Sequence, residues 1–134
     1  MATNRFLLDS GALTALAEDD KRLRLFLETA VIDDIDIAVP TIVIAESTTG
    51  GQRDAKVNRV LARCDIIDLT EPIARDAAWL RTALRGAGLA DAVIIATADR
   101  ERGTTVLTSD PTDLRALAVI ANRSAVVSFL PDRP

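Results

Sequence analysis

Short apolar runs alternate with longer amphipathic stretches along the whole chain. The apolar runs predict strands at residues 5–9, 36–40, 65–69, 104–109 and 125–129. Helical periodicity predicts helices at residues 10–20, 21–30, 41–49, 52–64, 71–85, 88–99 and 111–119. The strands are continuously apolar, which is typical of a parallel sheet covered on both faces. We therefore predict a single α/β domain over residues 1–134, a three-layer α/β/α sandwich with a central, mainly parallel sheet.

Three helix boundaries follow from local chemistry. Thr41 stands before an apolar periodic stretch and is predicted to cap its helix. Pro72 is predicted in the first turn of the helix at 71–85, and Gly86 just beyond its end.

Composition narrows the class of protein. A chain of 134 residues with 49% hydrophobic and 27% charged residues is large enough to bury one core. No apolar run is long enough to cross a bilayer, and the first residues do not resemble a secretory signal. With a single cysteine, Cys64, we expect a cytoplasmic protein without an internal disulfide.

The absent residue types limit the chemistry. The chain has no His, so imidazole serves neither as a base nor as a metal ligand. The apolar neighbours of Cys64 indicate a structural thiol. An enzyme of this composition depends on carboxylates, and their oxygens favour Mg²⁺ or Mn²⁺ over zinc. The net charge of −4 is unlike that of a simple DNA-coating protein, but bound divalent ions reverse a local field.

Four acids occupy positions where a ligand site is expected. Asp9 ends the first predicted strand, Asp110 follows the fourth, and Asp91 stands at a helix N-terminus. In open α/β sheets, ligands bind outside the carboxyl ends of the strands. Glu46 is the fourth candidate.

Two of these acids lie on helix faces that are otherwise apolar. Asp91 shares a face with Ile94, Ile95 and Ala98, and Glu46 shares one with residues 42 and 43. A carboxylate on a dry face is costly unless a cation or hydrogen-bond donors meet it. We expect these two acids to have a function.

Structural roles are open for the same acids. Asp9 and Asp91 are also suitable helix caps. The segment "DPTD" is a good helix start, with Asp110 as the cap, Pro111 at the first helical position and Asp113 interacting with the helix dipole. Capping and function are compatible at each position.

Acids gathered on one rim repel each other, which raises their pKa values unless a cation compensates. Their placement therefore predicts a Mg²⁺ or Mn²⁺ site. Such an ion activates water and stabilises the charge that develops on a phosphate.

Four segments, "FLLDSGAL", "PTIVIAES", "GLADAVIIATA" and "VLTSDPTDL", together resemble the PIN-domain nucleases, specifically the VapC toxins of type II toxin–antitoxin systems. The resemblance extends over essentially the whole chain, in the order and spacing of that family. It implies that Asp9, Glu46, Asp91 and Asp110 form the family's acidic quartet. It also implies that Thr108 positions water or phosphate, that Asp113 is a further acid of the site, and that Ser10 has a minor role.

The resemblance further implies a metal-dependent endoribonuclease that leaves 5′-phosphate and 3′-hydroxyl ends on RNA. Similar proteins form homodimers and are silenced by a VapB-type antitoxin, whose C-terminal segment crosses the groove and often places a basic side chain among the acids. The basic residues fit either RNA or subunit contacts or solvated helix faces: Arg53, Lys56, Arg59, Arg81, Arg85, Arg100 and Arg102.

Other classes fit less well. A receiver domain would carry paired acids after the first strand and a Lys near the last, and this chain has neither. "GAGLAD" resembles a dinucleotide fingerprint, but its glycines follow a helix, and Asp91 replaces the third. A non-catalytic PIN-like module that binds RNA or protein is the remaining alternative.

Overall fold

The computed structural model describes residues 3–121 and 126–129, which contain a five-stranded parallel sheet. Its order is β3-β2-β1-β4-β5. The strands are β1 Arg5–Leu8, β2 Asp36–Pro40, β3 Asp65–Ile67, β4 Thr104–Thr108 and β5 Val126–Phe129. The predicted parallel sheet is confirmed, and Ala125, the first residue predicted for the last strand, lies outside the described residues.

Within the described residues, seven α-helices cover the two faces of the sheet. They are α1 Ser10–Glu18, α2 Asp20–Ile32, α3 Thr41–Ser47, α4 Ala55–Leu61, α5 Glu71–Ala83, α6 Leu89–Asp99 and α7 Thr112–Ile120. Helix α1 contacts α2, α3 and α4, whereas α5, α6 and α7 contact one another. These two groups of helices flank the sheet, which confirms the predicted three-layer α/β/α architecture.

The chain builds the sheet outward in two opposite directions, and the point of reversal lies between β1 and β4. From β1 the chain proceeds through β2 to β3 on one side, and β4 and β5 extend the sheet on the other side. Connections that run in opposite directions along a parallel sheet lie on opposite faces, which leaves a crevice at the carboxyl ends of the two central strands. Asp9 follows β1 and Asp110 follows β4, so both acids border this crevice.

The core lies under the two central strands and α6. Leu7, Leu8 and Val106 are completely buried, and every residue of α6 from Ala92 to Ala98 is buried. A helix that is apolar on all sides belongs in a protein interior. Its position fixes the start of α6, and therefore Asp91, against the rest of the fold.

Several predicted boundaries differ from the structure. The helix predicted at 52–64 is a 3₁₀ turn, Gln52–Asp54, followed by the short α4. Thr41 was predicted to be a cap, which is wrong: it lies inside α3, and its hydroxyl accepts the Leu69 amide at 3.2 Å. The expected Pro72 and Gly86 positions at the ends of α5 are confirmed, and Gly86 has a φ of 87°. Across the described ranges, no helix has the length and apolarity that a membrane crossing requires.

Candidate active site

Asp9 begins the site at the end of β1. Its amide donates to the Leu107 carbonyl of β4 at 3.2 Å, and its Oδ1 accepts the Ala12 amide at 2.8 Å. The second bond makes Asp9 the N-cap of α1, so the structural role that the sequence left open is confirmed. The cap uses one carboxylate oxygen and fixes the direction of the side chain.

Thr108 connects Asp9 to Asp110. Its side chain is completely buried at the end of β4. The hydroxyl donates to the Asp9 carboxylate and accepts the Asp110 amide at 2.9 Å. One buried side chain therefore ties together the segments that follow two adjacent strands.

The electrostatics of Asp9 reflect its half-buried position. Its pKa is raised above the ordinary value, chiefly because burial disfavours the charged carboxylate. Repulsion from Asp110 raises this pKa as well, whereas hydrogen bonds from Thr108, Ala12 and Gly11 lower it. Burial and repulsion outweigh the hydrogen bonds.

Asp110 and Asp113 are exposed near the start of α7. The capping role considered for Asp110 is not found, because α7 begins at Thr112 with Pro111 in the cap position and without a side-chain capping bond. The Asp110 amide is instead turned back toward Thr108. Its carboxylate therefore has no capping role, while Asp113 lies in the first turn of α7 as expected.

Asp91 is the third residue of α6 and is half-buried. Ile94, Ile95 and Ala98 are at most 2% exposed, which confirms that Asp91 lies on an apolar face. The helix is capped by Gly88, again without a side-chain bond, so the capping role considered for Asp91 is wrong.

Burial and neighbouring carboxylates both raise the pKa of Asp91. Burial raises this pKa most, and repulsion raises it further from four other carboxylates, in decreasing order Asp113, Asp9, Glu46 and Asp110. Repulsion between side chains falls off with distance and is screened by solvent. The other four predicted acids therefore all lie within electrostatic range of Asp91.

Glu46 lies near the end of α3, which contacts α6. The prediction that it interrupts a dry helix face is wrong, because its side chain is exposed. Helix α3 has seven residues, and only Val43 of these is buried. Glu46 and Asp91 together border an open cleft between α3 and the start of α6.

The donor set suits a hard divalent cation in kind. No three Asp, Glu or Cys side chains in the described ranges are arranged closely enough to hold a metal ion as they stand. Glu46, Asp110 and Asp113 are exposed and can rotate about their side-chain bonds toward a cation. A cation among these acids would relieve the repulsion that raises the Asp91 pKa.

Sequence reasoning missed Gly11 and Ser109. A Cβ added to Gly11 would collide with the Ser109 hydroxyl oxygen and would lie 3.6 Å from Asp9 Oδ1. The absence of a side chain at Gly11 therefore leaves room for the Ser109 hydroxyl beside Asp9. The only sequence signal was a glycine two residues after a candidate acid. Ser10, predicted to have a minor role, is half-buried at the first position of α1.

Asp54 is a second omission, in the loop that follows α3. Its buried carboxylate accepts the Thr49 amide at 2.8 Å, the Thr49 hydroxyl at 2.9 Å and the Gly50 amide at 2.8 Å. These bonds, led by that from the Thr49 amide, hold the pKa of Asp54 below its ordinary value. Asp54 thereby orders the loop that leaves the Glu46 helix.

The basic residues considered for RNA binding lie on helix surfaces or exposed turns. Lys56 pairs with Glu18 at 3.6 Å, Arg59 with Asp20 at 3.2 Å, and Arg100 with Asp76 at 2.8 Å. The other four are exposed: Arg53, Arg81, Arg85 and Arg102. Exposed pairs of this kind contribute little to stability, and RNA contact by these residues stays a prediction.

Comparisons with known proteins agree with this architecture. The sequence profile of the PIN domain matches residues 6–120. No curated protein sequence matches significantly.

Among solved structures, the chain is similar to VapBC2 from Rickettsia felis bound to a fragment of promoter DNA. The TM-score is 0.74 and the identity 20%, with 95% of this chain and 99% of that chain covered. It is also similar to DNA-bound VapBC from Salmonella typhimurium, at a TM-score of 0.73 and 16% identity over 96% and 98% of the two chains.

A third similar structure is FitAcB from Neisseria gonorrhoeae, with a TM-score of 0.62 and 22% identity over 94% and 97% of the chains. These likenesses concern the fold. The family profile covers most of the sequence, including all five acids that were predicted for the site, at positions 9, 46, 91, 110 and 113. This chain is a member of the PIN-domain family.

Proposed function

We propose that this protein is a VapC-type toxin, a metal-dependent endoribonuclease that hydrolyses RNA phosphodiester bonds at Asp9, Glu46, Asp91 and Asp110. One observation carries the proposal: the half-buried Asp91 lies within electrostatic range of four other carboxylates, Asp9, Glu46, Asp110 and Asp113. Repulsion between clustered carboxylates destabilises the folded protein, and a bound cation that takes part in catalysis would offset this repulsion. PIN domains are generally nucleases, which agrees with this use.

The carboxylate oxygens of these residues are the kind of ligand that Mg²⁺ and Mn²⁺ prefer. Asp9, Asp91 and Asp110 would hold the ion, with Glu46 and Asp113 as further ligands. When bound, the ion would lower the pKa of a water molecule and stabilise negative charge on the reacting phosphate.

The chain itself would keep the acids in place. Thr108 is a positioning residue in this proposal, because its buried hydroxyl bonds to the Asp9 carboxylate and the Asp110 amide. The α1 cap holds the other side of Asp9 through the Ala12 amide. Both contacts restrict the carboxylate before any ligand arrives, which reduces the entropy lost in ordering the site. Ser10 would support this arrangement from the first position of α1.

We propose a VapB-type antitoxin as the protein partner and a cytoplasmic homodimer as the working assembly. The proposal is supported by the similar fold of the VapBC complexes from Rickettsia felis and Salmonella typhimurium. The charge of the site is a second support, because clustered carboxylates form strong, charge-assisted bonds with Arg or Lys. An inhibitory segment with a basic side chain would therefore compete with the metal.

The decisive experiment uses purified, antitoxin-free protein and a mixture of structured and single-stranded RNA. Cleavage should require Mg²⁺ or Mn²⁺ and stop with EDTA. Asp91→Asn should abolish cleavage and toxicity on expression, while Asp68→Asn should not. Asp68 is the control because it is an acid that follows strand β3 of the same sheet but does not contribute to the Asp91 pKa.

Cutting that persists in EDTA, or full activity of Asp91→Asn, would contradict the mechanism. RNA binding without cleavage under any divalent ion would favour a non-catalytic PIN-like module instead.

A further inference from the structure

An open cleft of about 410 Å³ continues from the acidic site between α3 and the start of α6. This volume is near the lower end for small-molecule sites, about 300–1,000 Å³, and suits one nucleoside better than a longer oligonucleotide. Two of its residues, Glu46 and Asp91, belong to the acidic cluster. The cleft therefore adjoins the place where the proposed function puts the cleaved phosphate.

The remaining walls of the cleft are largely aliphatic. Ile42 and Ala45 contribute from α3, and Leu89 and Ala90 contribute from α6. Leu89 stands on the rim and is 52% exposed. A large aliphatic side chain left in water beside a charged site gains free energy when a flat apolar surface covers it.

The charges of the cleft disfavour the phosphate group of a nucleotide and favour a base that carries an amino group. Of the described residues that line it, none is Lys or Arg, so these walls offer a phosphate group no favourable partner. Glu46 is exposed and offers carboxylate oxygens, which accept hydrogen bonds from the exocyclic amino groups of nucleobases. A base with an amino group thus complements the cleft better than uracil does.

We propose that this cleft binds the nucleobase next to the cleaved phosphodiester and that Leu89 sets the base preference at that position. The inference rests on the proposed ribonuclease function and adds a specificity-determining residue to it. The base lies with one face on Leu89 and Ile42, and an amino-bearing edge points toward Glu46. Adenine, cytosine and guanine are preferred over uracil at this position.

The first test measures binding without catalysis. Asp9→Asn protein with labelled Leu and Ile methyl groups is titrated in EDTA with adenosine, cytidine or uridine and followed by NMR. The methyl signals of Leu89 and Ile42 should shift, more with adenosine and cytidine than with uridine. Leu25 is the internal control, because it is 66% exposed and lies on α2, outside the cleft.

The second test measures specificity. RNA with randomised sequence is cleaved by the wild type, Leu89→Ala and the matched control Leu25→Ala, and the cut ends are sequenced. Leu89→Ala should reduce kcat/KM on the preferred sequence by about tenfold, the effect of losing a small apolar contact, and should flatten the preference at one position beside the cut. Leu25→Ala should keep the wild-type distribution.

The outcomes separate this inference from the function on which it rests. If the wild type cleaves no RNA, the ribonuclease proposal fails, and the methyl titration still tests the cleft. If the wild type cleaves and Leu89→Ala keeps its base preference, the inference is overturned and the function stands. Methyl shifts with an antitoxin peptide but with no nucleoside would also overturn it, since the cleft would then serve a protein partner.

Discussion

The Asp9 side chain stabilises the fold by accepting hydrogen bonds, but its half-buried negative charge destabilises the fold. Substitutions can separate these two effects. Asn keeps an oxygen that can accept the Ala12 amide and the Thr108 hydroxyl, but it removes the charge. Ala removes both acceptors. We therefore expect opposite effects on the stability of the metal-free protein at neutral pH: Asp9→Asn should be at least as stable as the wild type, and Asp9→Ala should be less stable.

The difference between the two variants can be worked from these contacts. Loss of an N-cap costs about 1 kcal/mol. Loss of the acceptor for the buried Thr108 hydroxyl costs about 1 kcal/mol more. For a domain of this size, 1 kcal/mol shifts the melting temperature by roughly 3–4 °C. Asp9→Ala loses both contacts, so it should melt roughly 6–8 °C below Asp9→Asn in EDTA.

The effect of pH has a defined sign. The pKa of Asp9 is raised by folding, so its protonated form contributes stability below the ordinary Asp pKa of about 3.9. That contribution is lost as the pH rises through the raised pKa of the folded state. Asp9→Asn should thus exceed the wild type near neutral pH, and the gap should close as the solution is acidified.

Thermal melts in EDTA across this pH range provide the measurement. Asp19 is a matched control, because it caps α2 through the Arg22 amide at 3.0 Å and does not contribute to the Asp91 pKa. Asp19→Ala should lose about 1 kcal/mol, and Asp19→Asn should not gain stability from relief of the acidic cluster. The reasoning is refuted if Asp9→Asn melts below the wild type at neutral pH or matches Asp9→Ala.

The remaining predictions concern the supports of the site. Thr108→Val should lose about 1–2 kcal/mol of stability and most nuclease activity, because two hydrogen bonds disappear, whereas Thr108→Ser should retain both; melting and the pH profile of kcat would distinguish them. Gly11→Ala should change the free energy of unfolding by no more than about 1 kcal/mol, because the exposed Ser109 hydroxyl can rotate away from the added methyl group and Ala favours the helix; a clearly larger loss in thermal melts would show that Ser109 cannot move. Asp54→Ala should lower the melting temperature most at neutral pH, and the loss should shrink on acidification, because the contribution of a lowered pKa is complete above the unfolded-state pKa and disappears as the pH falls through the folded-state pKa; a loss that does not depend on pH would argue against that explanation.

The strands and the position of Asp9 could be predicted because their causes are local in sequence. A strand buried on both faces is a continuous apolar run, and the first acid after such a run lies at the carboxyl edge. The environment of Asp91 was predictable for a related reason, since three- and four-residue spacings place it beside Ile94 and Ile95.

The connections within the site could not be predicted from the chain alone. The link from Thr108 to Asp9 depends on β1 lying beside β4, and these strands are far apart in sequence. Thr41 and Asp110 do not cap their helices, whose cap positions are Pro40 and Pro111. Capping depends on the backbone angles of single residues, which composition does not determine. The exposure of Glu46 depends on how α3 is placed against the rest of the fold, where only Val43 of its seven residues is buried.

The site also consists of two parts that differ in how firmly the fold holds them. Asp9 and the Asp110 backbone are tied to the central strands and Asp91 to the buried α6, whereas Glu46 lies near the end of α3, of which only Val43 is buried. A small shift of α3 would move Glu46 relative to the other acids without disturbing the sheet. A ligand held by both parts would restrict that shift, so slower amide hydrogen exchange at the end of α3 should accompany its binding.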